Sequence, residues 1–85
     1  MYAVYIIKSL KDKRLYIGST SNLKRRLSEH NSGKIFSTKW RTPFELIYCE
    51  LYKAEKDARL RERKLKLRSK AFAQLRKRID NSINS

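Results

Sequence analysis

Eighty-five residues carrying 22 Lys and Arg against eight Asp and Glu have a formal charge of +14, which bounds the chain to one domain with one thin core and selects a polyanion, by default nucleic acid, as partner. No apolar run reaches the ~20 residues of a membrane span, and no basic segment has the broad apolar face of a membrane-surface helix. "MYAVYII" is too short for a secretory leader, and the lone Cys49 excludes an internal disulfide, so a cytoplasmic, reducing compartment is expected.

"MYAVYIIKS" is β-branched and aromatic, with apolar residues on both alternating faces, as in a central strand covered on both sides. After the polar "LKDKR" comes "LYIGS", a second short strand, and the two read as a hairpin. An even loop between them puts Tyr5 and Tyr16 on one face. Ser21 or Asn22 can cap a helix that runs to about Asn31 and stops at "NSG". Leu23 and Leu27 mark its packed stripe. His30 lies about 40° from that stripe, Arg26 about 80°, and Arg25 directly opposite.

Residues 34–43 form a loop in which Lys39, Trp40 and Arg41 combine cation and aromatic, a pairing suited to nucleic acid. "FELIYCELY" (44–52) is a third strand, apolar on both faces, where Cys49 reads as a small buried apolar residue. "KAEKDARLRERKLKL" (53–67) is a helix with Ala54, Ala58 and Leu65 inward. After "RSK" (68–70) a last helix runs from about Lys70 to Asp80, with Phe72, Leu75 and Ile79 on its inner face. The order is β-β-α-β-α-α. This predicts an α/β (α+β) domain over residues 1–80, a small three-stranded antiparallel sheet flanked by helices, with residues 81–85 as a frayed tail.

One Cys and one His cannot make a zinc site, and two glycines cannot make a phosphate-binding glycine loop. Of the carboxylates Glu62 stands apart, mid-helix and about 60° from the inner stripe. Arg59 at i−3 and Lys66 at i+4 offer it ordinary helix pairing, ~0.2–0.5 kcal/mol each. The alternative is a single carboxylate ligand for a hard divalent cation. Arg26 and His30 likewise read either as a solvated face with a structural histidine or as a phosphate site beside the tyrosines.

Taken together, "AVY" (3–5), "YIG" (16–18), Arg26 eight residues after Gly18, His30 four later, and Glu62 within "STKWRTPFELIYCELYKAEKDARLRERKLK" resemble the GIY-YIG nuclease domain in its small standalone form, over about residues 1–67. Ala3 replaces the first glycine of the motif, and Ser19 stands where some members carry a lysine. The late asparagine of larger members and a DNA-specificity domain have no counterpart. The resemblance implies an endonuclease that uses Mg²⁺ or Mn²⁺ to hydrolyse phosphodiester bonds of nucleic acid, DNA by default, with weak sequence or structure selectivity in a repair or recombination role. It implies that Glu62 holds the metal, Arg26 stabilises the transition state, Tyr5 orients or deprotonates water, Tyr16 bonds phosphate or water, and His30 contacts phosphate or shuttles a proton. Lys24, Lys39, Trp40 and Arg41 are expected at the nucleic acid. The alternative is a non-catalytic nucleic-acid-binding module on a nuclease-derived fold, acting with a protein partner that supplies specificity.

Overall fold

β1 (Tyr2–Ser9) lies between β2 (Leu15–Thr20) and β3 (Phe44–Tyr52) in one antiparallel sheet, order β2-β1-β3, in a computed structural model that describes residues 1–67 and 70–85. The two-sided apolar pattern of β1 has its reason in this central place, since residues 3–7 are all buried. On one face Tyr5, Ile7 and Phe44 pack with Tyr16, Leu46 and the Leu23 and Leu27 stripe of α1 (Leu23–Asn31). On the other, Val4 and Ile6 meet Ala58 and Leu65 of α2 (Glu55–Lys66) and Leu75 of α3 (Lys70–Arg78). Each aliphatic side chain so buried contributes ~1.5–3 kcal/mol. The α+β class and the β-β-α-β-α-α order are those expected.

Hairpin register follows from the turn. Ser9 N–H donates to Arg14 O at 2.9 Å, enclosing residues 10–13, an even loop that pairs Tyr5 with Gly18 and Ile7 with Tyr16. Tyr5 and Tyr16 therefore share the α1 face. Asn22, rather than Ser21, caps α1, its Oδ1 accepting from Arg25 N at 3.0 Å. Gly33, at φ +76°, takes the left-handed conformation that ends the helix.

Three expectations need correction. Residues 81–85 do not fray. Asp80–Asn84 forms α4, where Ile83 is buried and its carbonyl accepts from Lys8 Nζ at 2.6 Å. Ile83 prolongs the Phe72, Leu75, Ile79 stripe, and the polar residues around it masked that continuation. Cys49 is exposed rather than buried, because β3 is an edge strand. Ala54 is the exposed residue that precedes α2, so Ala58 and Leu65 alone are buried on that helix. The "RSK" connection lies, for Arg68 and Ser69, outside the described residues.

Candidate active site

Tyr5 sits mid-β1, and its ring lies across Gly18 of the neighbouring strand. A Cβ on Gly18 would fall 2.6 Å from Tyr5 Cζ, so this crossing needs glycine. That contact gives the glycine of "YIG" its physical reason. Tyr16, two residues earlier on the same face, places its ring 6.4 Å from that of Tyr5 and 5.0 Å, edge-on, from that of His30.

His30 is fully buried, more so than the leucines of its own helix. Its Nε2 is 2.8 Å from Tyr5 Oη and its Nδ1 is 2.9 Å from Thr38 Oγ1. Burial first, then the nearby Arg26 charge, lowers the His30 pKa and keeps the ring neutral at pH 7. Thr38, also buried, has the Ile35 carbonyl 3.5 Å from its hydroxyl. We therefore assign Nδ1–H as donor to Thr38 and Nε2 as acceptor from Tyr5. Both ring nitrogens of His30 have protein partners in this arrangement, and the side chain is sealed from solvent. The loop after α1 makes the seal, with Phe44 edge-on to the imidazole at 5.7 Å. Asn31 fixes that loop's far end. Its Oδ1 accepts from Phe44 N at 2.6 Å and its Nδ2 donates to Phe44 O at 3.1 Å.

Arg26 stands one turn before His30, half-buried, with Glu29 Oε1 3.4 Å from Nη1. Burial pushes the Tyr5 phenol up to about 12, and the adjoining Arg26 guanidinium opposes that rise. The phenol in turn raises the Arg26 pKa. Arg25, on the opposite side of the helix, is exposed.

Glu62 approaches from α2 around the free edge of β2. Ser19 Oγ donates to its Oε1 at 2.6 Å, and Lys66 Nζ lies 2.7 Å from its Oε2. Burial pushes the carboxyl up, but the Lys66 and Ser19 hydrogen bonds outweigh this, and the pKa ends below the usual value. Its charge acts on the Tyr5 phenol. Lys66 Nζ also lies 5.8 Å from the Tyr16 ring centroid, so one ammonium spans the gap between carboxylate and tyrosine. Neither Lys66 nor Thr38 stands out in the sequence as a site residue. The i+4 spacing to Glu62 pointed to Lys66 only as a helix partner, and nothing local marked Thr38.

The expected nucleic-acid residues divide. Lys24 is exposed on α1. Lys39 Nζ lies 4.8 Å from the Phe36 ring centroid and 4.7 Å from that of Trp40, and these two aromatics are 79% and 73% exposed. Arg41 differs. Its Nε donates to Asp12 Oδ2 at 2.7 Å, holding that carboxyl down at about 2, and it covers Phe44 at 5.5 Å. Its guanidinium is thus a brace between hairpin and loop before it can be a contact.

No helix among the described residues is long and apolar enough to cross a membrane. The family model of the GIY-YIG catalytic domain matches residues 1–78. A UPF0213 protein of Staphylococcus haemolyticus is 42% identical over 64 residues, covering 74% of this chain and 77% of its own. One from Natronomonas pharaonis is 39% identical over 69 residues, 80% of each chain, and one from Syntrophus aciditrophicus is 41% identical over 70 residues, 80% and 79%. No solved structure matches significantly. The tyrosines crossing at Gly18, the arginine and histidine of one helix and the glutamate of another thus sit in a chain that belongs to the GIY-YIG nuclease family and, within it, to the UPF0213 group.

Proposed function

We propose that this protein is a metal-dependent endonuclease that hydrolyses phosphodiester bonds of DNA with weak sequence or structure selectivity, in the cytoplasm and in a repair or recombination role. One observation carries the reading: the Lys66 ammonium joins the carboxylate of Glu62, 2.7 Å away, to the ring of Tyr16, 5.8 Å away, and that ring packs in turn against Tyr5 and His30. A pure binding surface of charge +14 has no physical need for that carboxylate.

The donors suit Mg²⁺ or Mn²⁺. Glu62 is ionised, the Ser19 hydroxyl is beside it, and both line an open recess of about 500 Å³ with room for water. Among the described residues no three His, Cys, Asp or Glu cluster, so an ion here would take one carboxylate and complete its shell with waters and phosphate oxygens. Such an ion would polarise a phosphoryl oxygen. Arg26 supplies a permanently charged planar fork for the developing charge at phosphorus. Lys66 lines the Glu62 recess, Tyr16 lines the neighbouring one that Lys66 also bounds, and both bind phosphate. Tyr5 orients the attacking water and takes its proton while passing the phenolic proton to Nε2 of neutral His30, the nitrogen we assign as acceptor, and the leaving oxygen takes a proton from solvent. With Tyr5 only 1% exposed, a side chain covering its hydroxyl must move to admit that water. Lys24, Lys39 and the exposed Trp40 grip the backbone and stack on bases.

The sealing of Tyr5 and His30 is also what favours the second reading, a non-catalytic module working with a protein that supplies specificity. A cleavage assay on branched, nicked and single-stranded DNA with Mg²⁺ or Mn²⁺ separates the two. Wild type cuts, and Glu62→Ala binds equally well without cutting. Binding with no cutting by the wild type would establish the second reading, and metal-dependent cutting by clean Glu62→Ala would remove Glu62 from the mechanism.

A further inference from the structure

The outer edge of β2 is unpaired in the sheet, because β1 is that strand's neighbour on one side only. Three recesses follow this edge and share walls. The first, about 500 Å³, holds Ser19, Glu62 and Lys66. The second, about 190 Å³, holds Tyr16 and is bounded by Lys66 on one side and by Leu15 and Phe72 on the other. The third, about 640 Å³, shares Leu15 and Phe72 and opens between the hairpin turn, α3 and α4. Six strand residues at ~3.3 Å each make the edge about 20 Å long.

The far recess has a distinct chemistry. Lys13, Arg14, Arg41 and Arg76 line it against a single carboxylate, Asp12, which Arg41 already neutralises. Arg14 and Arg76 are exposed and have no acidic partner among the described residues. Ile83 of α4 closes its wall. Two unpaired guanidinium groups therefore stand at one end of a row of recesses whose other end is the carboxylate of the candidate active site, with the half-buried rings of Phe72 and Tyr16 between them.

From this juxtaposition we infer that the β2 edge is the track for a single-stranded segment flanking the cleavage site, with Arg14 and Arg76 as its terminal phosphate clamp. The inference rests on the nuclease reading for what lies at the Glu62 end. Cations alone would accept any polyanion. Two half-buried aromatic rings lying between the cations at either end suit unpaired bases, which have faces free to stack. Planar guanidinium forks suit phosphate oxygens at the far end. The cationic far recess is a surface on which the Tyr5, Arg26 and Glu62 chemistry makes no demand, so it is available for positioning alone.

The test measures binding in EDTA, using a fluorescent nicked DNA duplex with and without an eight-nucleotide single-stranded extension. Wild type gains affinity from the extension, and its salt slope steepens by about 1.4, two phosphates at ~0.7 each. Arg14→Ala/Arg76→Ala loses that gain, about tenfold, together with the added slope. Lys56→Ala/Lys77→Ala, with the same loss of charge outside these recesses, keeps both. Equal losses in the two double variants, or an equal gain from a double-stranded extension, overturn the inference. Cleavage of the same DNA in Mn²⁺ is scored separately. A protein that binds the extension through Arg14 and Arg76 but never cuts retains the track and loses the nuclease reading.

Discussion

Lys66 and a divalent cation compete for one carboxylate, and Lys66→Met tests this with an unusual sign. Methionine keeps most of the aliphatic stem and removes only the ammonium that lies 2.7 Å from Glu62 Oε2. The pair joins i and i+4 on one helix, with the lysine side chain 48% exposed and the carboxylate 19%. Freeing Glu62 from such a pair contributes about 0.3–0.5 kcal/mol, roughly twofold in metal affinity. If the ammonium stays nearby, its repulsion of a doubly charged ion at ~5 Å adds about 1.7 kcal/mol in water, reduced by salt. Mn²⁺ affinity of the variant, measured by calorimetry or by the resonance of free Mn²⁺, should therefore rise between about twofold and thirtyfold. Cleavage should fall all the same, because the ammonium beside Tyr16 is lost to phosphate. Unchanged or weaker Mn²⁺ binding by a folded Lys66→Met protein would refute the competition.

Gly18→Ala sets a Cβ against the Tyr5 ring, where a misfit of this size costs ~1–3 kcal/mol; melting should drop by roughly 4–8 °C per kcal/mol, and a variant that melts like wild type would show that the ring moves freely. Thr38→Val strands the buried Nδ1–H of His30, costs ~1–3 kcal/mol, and shifts imidazole nitrogen signals in NMR; an unchanged tautomer and melting point would contradict the relay. Tyr5 and Tyr48 are each raised from 10.0 to about 12, by burial first. The unfolded chain thus loses these protons before the folded one, and stability that is complete below pH 10 falls between pH 10 and 12. A denaturation midpoint that holds level across that window would contradict their burial.

Helical spacing was enough to separate Arg26 from Arg25, because each residue's angle about α1 follows from sequence position alone. The same geometry placed His30 beside the packed stripe but not inside it. Its complete burial comes from Thr38 and Phe44, carried by a loop whose return is fixed through Asn31, and no periodicity encodes that closure. Arg41 shows the mirror case. "KWR" reads as a nucleic-acid contact because it is cationic and aromatic, and Asp12, 29 residues away, gives its guanidinium a second, structural role that the spacing did not show. Position alone gave no weight to Ile83 among polar neighbours or to Cys49 on an edge strand. Local rules held where one element decides a side chain's surroundings, and failed where two distant segments do.

Glu50 shows why pairing alone could not resolve Glu62. Both carboxylates face a cation from α2 and both titrate below the usual value. Glu50, however, accepts Tyr48 Oη at 2.6 Å, Tyr52 Oη at 2.5 Å and a two-pronged Arg61 fork, with Nε and Nη2 each at 3.0 Å. Its oxygens are occupied by two tyrosines with few rotamers to gain on leaving and by a planar fork that makes two bonds at once, and the cluster binds α2 to β3. Glu62 has one hydroxyl and one half-exposed lysine on a flexible stem, at the mouth of an open recess. An ammonium that can leave makes a carboxylate exchangeable, whereas a bidentate guanidinium makes it structural. In a chain where basic residues outnumber acidic ones by 22 to eight, an ion pair is no distinction: five of the eight acids have one among the described residues. The identity of that cation, and its freedom to withdraw, distinguish the carboxylate suited to chemistry from the one that fastens the helix presenting it.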